Sequence, residues 1–209
     1  MATASKPSAA PSTLRDRTLR AVRAEVSAVA MRLFVEQGFD KTTVDQIAAE
    51  AGMSRTSFFR YFATKEEVVL GHLDEVAYRV LEALVARPES EPVWNSLRHA
   101  FDTLIEETAA SPEENMRMAR MLKETPALKV RQLGKQLGWH DVLGPEVARR
   151  LHVAADARDP RPRALVAAAM ACLNVAVETW VEADGAIALP GLLDQAMSAI
   201  PRGARNSDS

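Results

Sequence analysis

The sequence predicts an all-α protein: an N-terminal three-helix domain with a helix-turn-helix, then a larger C-terminal helical bundle, about nine helices in total. Three observations lead there. Apolar residues recur three, four and seven positions apart, the period of a helix face rather than of a strand. Capping residues and glycines punctuate those runs where helices begin and end. Ala, Leu, Val, Arg and Glu are abundant, while the alternating β-branched and aromatic residues of strands are scarce.

Taken in order, residues 1–13, "MATASKPSAAPST", are too poor in apolar side chains to bury a core. They read as a disordered tail and lack the apolar stretch of a secretory signal. A first helix comes next, with Leu19, Val22, Val26, Val29 and Leu33 in one stripe, ended by Gly38 with Phe39 behind it. A second opens at Thr43, in capping-box spacing with Gln46, and closes at Gly52. Ser54 caps a third, "RTSFFRYF". Thr64 and Glu67 cap a fourth that runs towards Pro88.

The bundle continues with "EPVWNSLRHAFDTLIEETAA" and with a helix that has Pro112 in its first turn. The next run is expected to be kinked or divided at Gly134, Gly138 and Gly144–Pro145. A helix apolar nearly all round from Ala164 to Val177 and a short last helix from Leu189 to Ile200 complete it, before a polar tail at 201–209. The expected domains are 14–63 for the helix-turn-helix and 64–200 for the bundle.

Composition narrows the function classes. The net charge of −2 is uneven, with ten Lys/Arg against eight Asp/Glu in residues 1–70 and 16 against 20 in the rest. That asymmetry alone is too mild to assign a polyanionic partner. Cys172, the single cysteine, excludes an internal disulfide and a cysteine-based zinc cluster, and reads as a small buried hydrophobe. No cofactor or metal is implied: His72, His99, His140 and His152 lack ligand spacing with one another, and no glycine-rich phosphate loop occurs. No apolar run reaches the roughly 20 residues that a spanning helix needs, so no membrane partner is expected and the reading is cytoplasmic.

The stretch "GMSRTSFFRYFATKEE" places four aromatics within residues 58–62 of a chain that is 5% aromatic. A helix ending at glycine, a tight turn and a second short helix describe a helix-turn-helix, whose second helix lies in the major groove of DNA. At 100° per residue, Phe58 and Phe62 point inward towards Leu33, Phe34 and Ile47, while Thr56 and Arg60 point away. Ser57, Phe59 and Tyr61 lie between.

The segment "AVAMRLFVEQGFDKTTVDQIAAEAGMSRTSFFRYFATKEEVV" resembles the N-terminal domain of the TetR family of transcriptional regulators. The pattern is an alanine-rich first helix, G-[FY]-x-x-T-[TS]-[VI]-x-x-I-A, A-G-[VM]-S, and an aromatic helix ending F-x-x-K-[ED]-[ED]. The resemblance implies a homodimer that binds a palindromic double-stranded DNA operator through such domains. It implies a diverse C-terminal bundle that takes a small-molecule effector, with repression the habitual direction. It places Thr43 and Lys65 on phosphates and Arg55, Thr56 and Ser57 at base edges, where Arg55 suits guanine O6 and N7. Asp45 falls where some members contact a base, though a carboxylate repels phosphate unless it accepts from a cytosine amine. Phe59 stands where the family usually has a phosphate-bonding tyrosine, and Tyr61 keeps a hydroxyl for the backbone. Arg15, Arg17, Arg20 and Arg23 either reach flanking phosphates or form a solvated first turn.

In the bundle, residues that interrupt apolar helices are the effector candidates: Trp94, Phe101, Met116, Met121, Trp139 and Asn174, each set against plain core packing. Asn174 is the sharpest, since a buried amide needs partners. The segment 113–131 is similar to a C-terminal domain of actinobacterial-type members, some linked to acyl-thioester or lipophilic ligands; Arg117, Arg120 and Arg131 either bind an anionic head group or, the preferred reading, form a solvated face. The resemblance also implies a four-helix dimer interface from the last two helices, assigned to Leu165, Met170, Leu173, Trp180, Leu193 and Met197. The alternative is that the 164–180 helix is the bundle's centre. A competing function class is a helical interaction or enzymatic bundle without DNA binding.

Overall fold

The computed structural model describes residues 13–71, 73–153 and 158–200. Apart from Thr13, the tails expected at 1–13 and 201–209 lie outside the described residues. The chain divides into two compact units, Met1–Gly71 and His72–Ser209. The boundary therefore falls after Gly71 rather than after residue 63, because the helix beyond the turn packs back onto the first.

The first unit holds α1 (Leu14–Gln37), α2 (Val44–Glu50), α3 (Arg55–Tyr61) and α4 (Lys65–Leu70). Each start is made by the hydroxyl expected there: Thr43, Ser54 and Thr64 accept from the N–H groups of Gln46, Ser57 and Glu67. The Thr43–Gln46 capping box is complete. Gly38 and Gly52 take φ of +90° and +65°, the left-handed stop that a side chain resists. On α1 the buried stripe is Val26, Ala30 and Phe34, whereas Leu19 is exposed. The buried stripe thus drifts from the expected one, and the Phe34 ring lies 4.9 Å from that of Phe39 between centroids. Val68, Val69 and Leu70 of α4 are buried, and Ser27 Oγ donates to the Val68 carbonyl at 3.3 Å.

The second unit holds α5 (Leu73–Val85), α6 (Val93–Ala100), α7 (Asp102–Ala110), α8 (Pro112–Glu124), α9 (Pro126–Arg150), α10 (Arg161–Glu182) and α11 (Leu189–Ala199). All nine expected rods are present among the described residues; two are interrupted, at Gly71 and at Phe101, so eleven helical segments result. The division expected in α9 does not occur. Gly134, Gly138, Gly144 and Pro145 all lie inside one 25-residue helix. Trp139, Leu143, Val147 and Ala148 are buried along it, and this packing outweighs weak intrinsic propensity. Pro145 sits on the exposed side, where a lost backbone hydrogen bond costs least.

The core of this unit gathers Val80 and Leu84 of α5, Leu97 and Phe101, Leu143 and Val147, and the inner face of α10. One buried polar cluster ties α9 to the end of α5. The Arg150 side chain is 1% exposed and donates to the carbonyls of Leu84 (2.7 Å), Arg87 (2.8 Å) and Pro88 (3.1 Å), and to Glu146 (2.8 Å). It thereby ties the Leu84 carbonyl in the last turn of α5 to the carbonyls of Arg87 and Pro88 just beyond that helix.

Candidate nucleic-acid interface and effector cavity

The second helix of the helix-turn-helix divides as its periodicity requires. Phe58 and Phe62 are 0% and 3% exposed, with ring centroids 5.4 Å apart and planes tilted by 35°. Arg55, Thr56, Phe59 and Arg60 are exposed, with Ser57 and Tyr61 half-buried. Thr43 is exposed at the start of α2. Arg20 lies within α1, but its side chain is outside the described residues.

Two features were not legible in the residue order. Arg55 Nη1 pairs with Asp45 Oδ2 at 2.7 Å, and its guanidinium lies 5.4 Å from the Phe59 ring centroid. Both partners of the ion pair are more than half exposed, so the pair adds little stability. Its consequence is positional, because carboxylate and ring together hold the guanidinium in place on the outward face. The phenylalanine that lacks a phosphate-bonding hydroxyl thus serves as the platform for Arg55. Asp45, suspect as a repulsive charge, is neutralised by its partner.

Lys65 makes contacts within its own unit. Its Nζ is turned inward, donating to the carbonyls of Phe39 (2.8 Å) and Thr42 (3.2 Å) and lying 4.3 Å from the Phe39 ring centroid. Two of the three donors on the ammonium thus bind the Gly38–Thr42 turn.

In the second unit, a cavity of about 260 Å³ opens between α7, α8, α9 and α10. Leu104, Ile105, Leu122, Leu133, Met170, Leu173, Val177 and Val181 make most of its wall, and Gln136, Asn174 and Trp139 stand among them. Gln136 and Asn174 exchange two amide hydrogen bonds, 2.9 and 3.0 Å long. The buried Trp139 indole N–H has no partner. Charges at the cavity are paired: Lys129 with Glu178 (2.8 Å), Lys123 with Glu182 (2.7 Å) and Glu107 with Arg79 (2.8 Å). The Lys123 ammonium holds the Glu182 carboxyl below the usual carboxylate range.

Of the six effector candidates, Trp139 and Asn174 line this cavity; Trp94, Phe101, Met116 and Met121 do not. Phe101 is fully buried core, Trp94 donates its indole N–H to the Met197 carbonyl at 3.2 Å, and Met116 packs at the core's edge. Met121 is half-buried on α8. Gln136 was missed, because a glutamine between Lys135 and Leu137 reads as surface until Asn174 is placed opposite it. Arg117 and Arg120 pair with Glu113 and Asp184 away from the cavity wall.

The six residues expected at a dimer interface lie within or against the core of the second unit. Met170, Leu173, Trp180, Leu193 and Met197 are buried in the chain's own core, and Leu165 packs against it. Their burial is what the bundle-centre alternative describes. A different face is left exposed: Ala164, Ala167, Ala171 and Val175 on α10, and Val130, Leu133, Gly134, Leu137 and Gly138 on α9. By length and composition α10 is as apolar as a spanning helix, a property that the core helix of a bundle shares, and 44% of its most apolar window is buried within the chain.

A capped helix, a glycine turn and a short helix with an arginine-bearing outer face define a helix-turn-helix DNA-binding regulator. A family model for bacterial regulatory proteins of the tetR family matches residues 27–71, and one for the MftR C-terminal domain matches residues 91–205. The HTH-type transcriptional regulator TcmR of Streptomyces glaucescens is 33% identical over 173 residues, 80% of this chain and 76% of the relative. The putative mycofactocin biosynthesis transcriptional regulator MftR of Mycobacterium tuberculosis is 31% identical over 129 residues, 60% of this chain and 63% of the relative. The crystal structure of Thermus thermophilus FadR, a TetR family repressor in complex with lauroyl-CoA, shares the fold. It superposes with a TM-score of 0.57 at 22% identity, over 90% of this chain and 99% of that one. The chain belongs to the TetR family of transcriptional regulators.

Proposed function

We propose that the protein is a cytoplasmic repressor that binds a palindromic operator as a homodimer and is released by a small apolar effector held in the second unit. The observation that carries the DNA-binding part is the division of α3, with Phe58 and Phe62 inside and Arg55, Thr56, Phe59 and Arg60 outside. In this reading Arg55 reads a guanine from the position that Asp45 and Phe59 give it. Thr56 and Ser57 face base edges beside it, Thr43 and Tyr61 supply hydroxyls to the backbone, and Arg60 and Arg20 supply charge.

The dimer forms through the exposed stripe of α9 and α10. Small residues at 134, 138, 164, 167 and 171 let helices approach closely, and Val130, Leu137 and Val175 supply apolar area that water does not favour. The effector acts through its differential affinity for two dimer states, one of which spaces the DNA-binding units for the operator.

A gel-shift titration against DNA upstream of the protein's own gene tests the reading. The expected result is a shift at low salt that weakens as salt rises, with a slope in log K of about −0.9 per neutralised phosphate. A folded dimer that gives no shift at low salt sinks it.

A further inference from the structure

The cavity and the exposed apolar stripe share a wall. The apolar residues that line the cavity are buried or half-buried, except Leu133, which is 51% exposed. The reason is rotational. On α9, Leu133 lies about 60° and Leu137 about 100° around the helix from Gln136, in the same sense. Gln136 lines the cavity, Leu137 stands outside it, and Leu133 between them belongs to both surfaces. On α10 the order repeats. Asn174 lines the cavity, while Ala171 and Val175, about 60° and about 100° around from it, are exposed. The Gln136–Asn174 amide pair and the Lys129–Glu178 ion pair bridge the two helices along this seam. One layer of side chains therefore separates the cavity from the outer face.

Two observations bear on what covers that layer. Gly134 and Gly138 have open space where a Cβ would stand, so packing within one protomer gives no reason for two glycines that weaken the helix. A backbone approaching closely from outside does give one. The stripe residues Val130, Leu133, Leu137, Ala171 and Val175 carry no charge. A two-fold contact, which sets a patch against its own copy, therefore brings no like charges together here. Large side chains and glycine notches stand side by side on the one face, so the face is complementary to itself.

We propose, on the basis of the effector and dimer functions above, that the second copy of the chain completes the cavity. The partner's α9 and α10 cover Leu133 and the amide pair, and the guest is held more tightly in the dimer than in one protomer. In a single protomer the outer side of this wall faces water. In the dimer the same Leu133 side chain is pressed between partner and guest, which fixes it in place. Guest affinity and dimer affinity are then linked, each strengthening the other by the same factor per site.

The test measures uptake of N-phenylnaphthylamine, a neutral apolar fluorophore, by the full chain. Sedimentation across a dilution series gives the midpoint between dimer and monomer, and the Kd for the probe is measured on either side of it. The expected Kd is roughly tenfold higher below the midpoint, and saturating probe should lower the dimer dissociation constant roughly a hundredfold, one tenfold factor for each of two sites. Leu137→Glu combined with Val175→Glu charges the outer face at residues that do not line the cavity, and should bind the probe as the diluted chain does. Val177→Trp fills the cavity and gives the blank for probe held elsewhere. The dilution series decides the coupling whether or not the variants fold. Equal Kd values on both sides of the midpoint overturn the shared site and leave the effector cavity and the dimer standing. A chain that forms no dimer overturns the shared site together with the dimer. Uptake by the dimer that is no greater than that of Val177→Trp overturns it together with the effector function.

Discussion

Arg55 shows how a single residue acquires its role from neighbours on another helix. As a letter after Ser54 it is an exposed cation at the start of a helix. Packed, it is flanked by the Asp45 carboxylate at 2.7 Å and by the Phe59 ring. Replacing Arg55 with Ala is expected to cost about 1–3 kcal/mol on the preferred operator and to relax preference at one base pair, which competition gel shifts on single-base operator variants measure. Equal losses on every variant would show a phosphate contact instead. Asp45→Ala should keep non-specific affinity and blunt the same base preference, because it frees the guanidinium without removing it. Lys65 makes the opposite case. Its ammonium is used on the Phe39 and Thr42 carbonyls, so Lys65→Ala is expected to lower the urea midpoint of the DNA-binding unit. Charge-assisted hydrogen bonds of this kind contribute about 1.5–3 kcal/mol. The salt slope of operator binding should stay as it was, since no phosphate contact is removed.

Among the elements, the junction of α5 and α6 depends on charge as well as on packing. Glu91 accepts two hydrogen bonds from Arg87, at 2.7 and 2.8 Å, with others from Ser96 (2.9 Å) and His99 (2.8 Å). The Arg87 hydrogen bonds above all, against an opposing effect of burial, push its carboxyl down from 4.5 to about 2. A carboxylate whose pKa is depressed by folding stabilises the fold fully above its unfolded value. That contribution disappears as pH falls from about 4.5 towards 2. Glu91→Gln is therefore expected to lower the urea midpoint at pH 6, and the gap to the parent should narrow as the pH is taken down through 4 and 3. A gap that stays constant across that window would remove Glu91 from the account of acid stability. Ser96 also meets Arg150 at 3.3 Å, so the acid-sensitive cluster adjoins the arginine tied to carbonyls at the end of α5.

The whole molecule turns on the long rods of the second unit. The α9 and α10 helices are apolar on more than one face, and the chain's own core uses only one face of each. What remains outside is Val130, Leu133 and Leu137 on α9, 71%, 51% and 68% exposed, with Val175 on α10 at 54%. If that surface pairs two protomers, Leu137→Glu combined with Val175→Glu should convert a dimer to a monomer in light scattering. Operator affinity should fall with it, while the far-ultraviolet helix signal is retained. A dimer that survives both charges would place the interface elsewhere.

Much of the first unit was legible in the residues because its signals are short-range. Thr43, Ser54 and Thr64 cap helices through groups three residues away, and Gly38 and Gly52 stop them by backbone conformation alone. The inward direction of Phe58 and Phe62 comes from helical period. Long-range packing settled the rest. Periodicity identified α10 as apolar nearly all round, yet only its neighbours decide that Met170 and Trp180 turn inward while Ala171 and Val175 stay outside. The same holds for Lys65, whose length lets it reach either outward or back to two carbonyls. It holds for Gln136 and Trp139, which became a cavity only when α9 was laid beside α10. The sequence by itself determined where the first three helices begin and end, which family the first unit resembles, and which residues stand on α3. Tertiary structure decided which apolar face is core, which is surface and which polar groups remain without partners, because those depend on side chains brought together from far apart in the chain.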